Sequence, residues 1–126
     1  MPQSHLTILN RYSLKGTSAQ FRAAIAVLAD RVRAEGHRGI LSYQFYVNSD
    51  ELSARAVIDY ENAQAWIGHH DIAMAWPEMH GLHAVAALVE VTFLGQMTPD
   101  IQHWIDRSTL TARLNIGNEF AAGFRR

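Results

Sequence analysis

The chain has 126 residues, enough for one hydrophobic core and too few for two. Apolar residues make up 48% and charged residues 18%, a globular balance, and the formal net charge of −1 lacks the basic face a nucleic-acid partner requires. With no cysteine, disulfides, thiolate catalysis and Cys-based metal sites are excluded.

Met1-Pro2-Gln3-Ser4-His5 has neither the charged nor the apolar region of a signal peptide. No apolar run approaches the ~18 residues of a membrane span. A cytoplasmic protein of bacterial type is expected, with no membrane and no nucleic acid among its partners.

His5–Leu14 mixes β-branched, aliphatic and aromatic residues and reads as a strand ended by Gly16. Thr17-Ser18-Ala19-Gln20 has the form of a capping box. Behind it Phe21, Ala24, Ile25, Leu28, Ala29 and Val32 form an apolar stripe at helical spacing, and Gly36 is the expected left-handed stop. Gly39–Val47 and Leu52–Tyr60 are strands joined by the polar turn Asn48-Ser49-Asp50-Glu51, which implies an antiparallel hairpin. Asn62 caps a second helix through His70, and Pro77 must end, kink or restart it near Trp76. Gly81 punctuates again, and Ala86–Leu94 is the fourth strand.

The order β-α-β-β-α-β is the ferredoxin-like pattern, an α+β sandwich with a four-stranded antiparallel sheet and both helices on one face. The face away from the helices is not polar enough for solvent. In the second strand Leu41, Tyr43, Phe45 and Val47 lie on one side, with Ile40 and Tyr46 on the other. In the fourth, Val89, Val91 and Phe93 oppose Leu88, Glu90, Thr92 and Leu94. Val57 sits among Arg55, Asp59 and Glu61, the first two placed for ion pairs across an interface. A homodimer with sheets face to face buries such a patch; the alternative cover is the C-terminal tail.

Two segments are therefore expected: residues 1–97 as the ferredoxin-like domain, and 98–126 as a helical and extended arm packed on that domain or on the partner subunit. Thr98-Pro99-Asp100 starts a short helix through Ile101, His103, Trp104 and Ile105. Beyond it Leu110, Leu114, Ile116, Phe120 and Phe124 are too apolar for a free tail, with Gly117 and Gly123 as bends.

His69, His70, His80 and His83 fall within fifteen positions, beside Asp71. Neighbours His69 and His70 point about 100° apart on a helix and rarely serve one metal, so no metal is assigned. Either imidazole can instead accept a phenolic proton or bond a carbonyl. Asn10, in phase with apolar Leu6 and Ile8, must find a partner when buried. Tyr12, Tyr60, Trp66 and Trp76 would form an aromatic wall for a planar ligand.

The run Asp59-Tyr60-Glu61-Asn62-Ala63-Gln64-Ala65-Trp66-Ile67-Gly68-His69 resembles the dimeric α+β barrel superfamily, in particular the antibiotic biosynthesis monooxygenase domain. The likeness rests on the strand-ending aromatic Tyr60, the Gln64-Ala65 pair and His69 four residues on. Lys15-Gly16 resembles the family's turn into its first helix, and the whole likeness runs from about His5 to Leu94. It implies a pocket between sheet and helices and a cofactor-independent monooxygenase acting on a small aromatic or quinol substrate. By that likeness Tyr60 and Trp66 line the pocket, while a strand asparagine of the quinol-oxidising type falls at Ala56. His69, His70 and Asn10 are the catalytic candidates; Tyr12, Tyr60, Trp66 and Trp76 are the substrate-binding ones.

The alternatives are a dimeric ligand-binding or structural domain without turnover, and a haem-binding or haem-degrading member of the superfamily. For haem, Asn10-Arg11 matches that branch's asparagine, but its helix histidine falls off by one, at Met79 and His80.

Overall fold

Thr17 and Gln20 form the reciprocal pair expected of a capping box. The Gln20 backbone N–H donates to Thr17 Oγ1 at 3.1 Å, and the Thr17 N–H donates to Gln20 Oε1 at 2.9 Å. They start helix α1 (Ser18–Glu35) in the computed structural model, which describes residues 5–126. The reading of Met1-Pro2-Gln3-Ser4 lies outside the described residues. The helix buries Phe21, Leu28 and Val32 of the predicted stripe. Gly36 ends it in an extended conformation rather than a left-handed one. Glycine serves close approach there: an added Cβ would sit 2.5 Å from the Val32 carbonyl oxygen, to which the Gly36 N–H donates.

Strands β1 (Leu6–Leu14), β2 (Ile40–Asn48), β3 (Ser53–Tyr60) and β4 (Ala86–Leu94) stand where the alternation places them, within a residue at each end. The sheet is five-stranded and mixed, not four-stranded and antiparallel. Its order is β2-β3-β1-β4-β5, and β5 (Arg113–Asn118) runs parallel to β4 at the edge. The sequence RLNIGN alternates polar and apolar residues over only four positions, Arg113 to Ile116, before Gly117, which is short for a strand signal. Its strand state comes from the open edge of β4, which its backbone pairs.

Pro77 restarts the second helical segment. Asn62 Oδ1 accepts the Ala65 N–H at 2.9 Å to cap α2 (Ala63–Ala73), and Pro77 opens α3 (Pro77–Val85). Gly81 lies inside α3 instead of breaking it. Thr98 caps α4 (Pro99–Asp106), whose Ile101 and Ile105 are buried.

Two register shifts change which side chains face the helices. The β2–β3 ladder pairs Ile40 with Tyr60 and Ser42 with Asp59, so Leu41 is the extra residue. Leu41 is consequently 52% exposed, while Ile40 packs toward the core with Tyr43, Phe45 and Val47. The β1–β4 ladder shifts between Arg11 and Tyr12 and skips Val89. Leu88 thus joins Val91 and Phe93 on the helix side, where alternation alone puts Val89. A bulge changes the parity of every position beyond it.

The core lies between α1–α3 and the inner sheet face, built from Leu6, Ile8, Ala54, Ile58, Tyr60 and Phe93 with the helix residues above them. The outer face carries Leu9, Val57 and Val89 among charged groups. Glu90 is bound by Arg11 and Arg113, each at 3.5 Å. Asp59 accepts from Thr7 Oγ1 at 2.5 Å and Ser42 Oγ at 2.9 Å, and pairs with Arg125 of the tail at 3.6 Å. Arg55 is exposed. The tail therefore reaches one end of this face. Leu110 and Leu114 pack on the core, but Ile116, Phe120 and Phe124 are exposed in the single chain, Phe124 at 81%.

Candidate functional site

Asn62 sets the first turn of α2, and Gly68 lets that helix settle onto the 36–39 turn. A Cβ at Gly68 would lie 2.3 Å from the His37 ring. The next two residues, His69 and His70, then hang over the inner sheet face. Between them and the strands lies a cavity of about 810 Å3. Its floor is strand residues, among them Asn10, Tyr12, Tyr43 and Tyr60; its roof is α2, α3 and the segment from Trp104 to Thr111.

Of the residues singled out from the sequence, Asn10, Tyr12, Tyr60, Trp66, His69 and His70 all line this cavity. Trp76 does not. The proline after it holds it extended (φ −68°, ψ 143°), and its ring takes the Arg31 guanidinium at 4.3 Å, between α1 and α3. His80 is exposed and His83 lines the cavity. Met79, not His80, faces inward at the position of the haem branch's histidine. Among the described residues no three His, Asp or Glu side chains converge in a way that could hold a metal ion.

Sequence reasoning missed Tyr43, Trp104, Lys15 and Arg107 as cavity residues. Trp104 was legible: on α4 it follows the buried Ile101 by three positions and should share its inward face. Its Nε1–H donates to Asp71 Oδ1 at 2.8 Å, tying α4 to α2 across the cavity roof. Its ring stands edge-on to Trp66 (5.3 Å, 85°) and to His70 (5.2 Å, 65°).

The two histidines differ in chemistry. His70 Nδ1 lies 2.7 Å from the Trp66 carbonyl oxygen, which can only accept, so Nδ1 carries the proton and Nε2 keeps its lone pair. The same ring stacks on Trp66 with centroids 3.9 Å apart. Burial lowers the His70 pKa to about 4, against the opposing pull of the Trp66 carbonyl and Asp71. His69 is 2% exposed, and its Nδ1 has no partner. Burial, with smaller repulsion from His70 and His37, lowers its pKa to about 3. Tyr43 meets the His69 ring edge-on at 5.7 Å.

On the floor, Asn10 Nδ2 donates to Tyr12 Oη at 3.2 Å, and Asn10 Oδ1 is buried without a partner. Burial raises Tyr12 to about 12, despite the bond from Asn10, and raises Tyr60 well above the usual phenol value. Charge is thus disfavoured around this cavity, and two buried polar atoms of its lining residues, Asn10 Oδ1 and His69 Nδ1, have no partner.

No family model matches the chain, and no curated protein matches it. Solved structures do. MupZ from Pseudomonas fluorescens matches with a TM-score of 0.72 at 16% identity, over 100% of this chain and 92% of its own. SnoaB from Streptomyces nogalater, described as a cofactor-independent oxygenase, matches with 0.59 at 18% identity, over 75% and 95%. A candidate antibiotic biosynthesis monooxygenase from Caulobacter crescentus gives 0.63 at 18%, over 76% and 92%.

The chain shares the ferredoxin-like α+β fold of these solved structures. The MupZ match covers the whole chain, so the arm bearing Trp104 and β5 falls within that likeness. None of the described helices is long and apolar enough to cross a membrane.

Proposed function

We propose that this protein is a cofactor-independent monooxygenase of a small aromatic or quinol substrate, with His70 as the base. The observation that carries the reading is the tautomer. His70 Nδ1–H is committed to the Trp66 carbonyl, so an unprotonated Nε2 belongs to a residue on the cavity wall. A phenolic substrate gives its proton to that nitrogen, and the electron-rich anion left behind reduces dioxygen. One oxygen atom enters the ring; the other leaves as water with the two hydrogens the substrate loses. No outside reductant is needed. Although burial makes His70 a weak base, a substrate anion formed beside it stabilises the imidazolium.

Asn10 supports the reading in a second way. In the resemblance, an asparagine of the quinol-oxidising type falls at Ala56. The ladder pairs Ala56 directly with Asn10 on the adjacent strand. An amide is thus available to the same patch of floor from β1. Trp66 and Tyr60 orient the ring.

Oxygen uptake with a panel of quinols tests this. Turnover is expected, reduced about 100-fold or more in His70→Ala. No uptake with any quinol, or full activity in that variant, overturns it. The competing reading, ligand binding without turnover, draws on the same low basicity of both imidazoles. It predicts quinol binding with no oxygen consumed.

We also infer a homodimer through the outer sheet face, supported by Leu9, Val57 and Val89 there and by the exposed Phe120 and Phe124 beside it. Light scattering at micromolar concentration should give twice the chain mass, and Val57→Glu should halve it.

A further inference from the structure

The cavity wall is one-sided in charge. The chain is nearly balanced, with 11 basic and 12 acidic residues. Yet no carboxylate of the described residues lines the cavity, whereas Lys15 and Arg107 do. Both are exposed residues and so mark its mouth, one at the end of β1 and the other just past α4. Neither is ion-paired with a carboxylate among the described residues, although Arg11, Arg31, Arg113 and Arg125 are. Lys15 Nζ donates to the His83 carbonyl at 2.9 Å, which fixes the ammonium at the rim and leaves it two further protons to donate. The neighbouring loop adds the side chains of Thr109 and Thr111 to the lining.

The far wall has the opposite character. It is aromatic and apolar, and its two polar atoms without partners are Asn10 Oδ1 and His69 Nδ1. A ligand that satisfies the whole cavity is therefore polar at one end, flat and apolar in the middle, and anionic at the other.

We propose that the cavity takes an aromatic carboxylic acid, its carboxylate at Lys15 and Arg107 and its ring hydroxyl against Asn10. This rests on the cavity being the substrate site and narrows the substrate class given above. The acid end supplies binding and orientation. It fixes which end of the ring enters first, and so which hydroxyl reaches the histidines. A neutral quinol lacks this handle and enters either way round.

Calorimetric titration of the full chain with 6-hydroxy-2-naphthoate, its methyl ester and 2-naphthoate tests the assignment. The hydroxy acid should bind about tenfold tighter than its ester at low salt, the scale of two partly solvated ion pairs. That preference should shrink as salt rises, and should collapse toward one in Lys15→Gln/Arg107→Gln with the affinity for the ester unchanged. Asn10→Ala should erase the advantage of the hydroxy acid over 2-naphthoate.

Equal affinity for acid and ester, an acid preference indifferent to salt, or no binding of any probe overturns the assignment. Salt dependence is read on the wild-type chain, so the test stands even if the double variant fails to fold. The two hypotheses also fail separately. Oxygen uptake with neutral quinols and no acid preference sinks this assignment alone; a salt-sensitive acid preference with no oxygen uptake sinks the monooxygenase reading alone.

Discussion

The two faces of the sheet treat charge in opposite ways. On the inner face burial lowers His69 to about 3 and His70 to about 4, and raises Tyr12 to about 12. Burial holds these three rings in their neutral forms. On the outer face Asp59 is also partly desolvated, which raises its pKa. That is outweighed by hydroxyl bonds from Thr7 and Ser42 and by Arg125, and the carboxyl is held below its usual value. The same five strands thus present a surface that suppresses ionisation and one that organises it. The difference lies in partners: the outer charges have donors and opposite charges in reach, whereas Asn10 Oδ1 and His69 Nδ1 have none. Unsatisfied polar atoms under a helical roof are a reason to expect a ligand; satisfied ones on an open face are a reason to expect stability or an interface.

Truncation should separate the faces most sharply. Phe93 is fully buried, 5.8 Å from the Trp66 ring. Phe93→Ala should cost about 3–5 kcal/mol in urea unfolding. Val57→Ala on the outer face should cost under about 1 kcal/mol in the isolated chain. Similar losses at both positions would mean that the outer face is as buried as the inner one in solution.

Acid comes next. Unfolded histidines titrate near 6.5, while folded His69 and His70 hold out to about 3 and 4. Between those values the unfolded chain binds protons that the folded chain refuses. The stability they contribute is complete above about pH 6.5 and is lost as pH falls from there toward 3. For His70 alone the loss is about 3 kcal/mol. The urea midpoint measured from pH 7.5 to 4 should fall accordingly, and His69→Gln/His70→Gln should flatten the curve. An unchanged slope in that variant would mean that both rings are solvated and the inner face is not dry.

Trp104→Phe sharpens the comparison within the roof. It keeps most of the ring and removes the donor to Asp71, and should cost about 1 kcal/mol. Hydrogen exchange should quicken in α4 and leave α1 alone.

How much of this was legible depends on how local the cause is. Capping at Thr17 and Asn62 and the restart at Pro77 are settled within a few residues, and the sequence carries them. The side chains facing the cavity from β1, β3 and α2 follow from the spacing of Asn10, Tyr12, Tyr60, Trp66 and His69. The bulges at Leu41 and Val89 are not legible, because they are fixed by the register of partner strands distant in sequence. β5 is a strand because β4 offers an edge, and Trp76 misses the cavity because its ring packs under Arg31 between α1 and α3. Lys15 and Arg107 each look like ordinary surface cations until the fold sets both on one cavity.

Glu90 offers the smallest effect and the most discriminating one. Its carboxylate bridges Arg11 and Arg113 at 3.5 Å each, on the outer face and still partly exposed. Long, solvated pairs of this kind contribute little, so Glu90→Gln should cost about 1 kcal/mol or less when the chain unfolds from a dilute, monomeric state. A second copy seated on that face changes the sign of the argument. Water is then excluded, and removing the carboxylate leaves Arg11 and Arg113 buried without a counter-charge, a loss of about 3–5 kcal/mol. The homodimer inferred above therefore requires the cost of Glu90→Gln to rise with protein concentration. A small cost that stays constant from nanomolar to tens of micromolar would mean that this face is met by water alone.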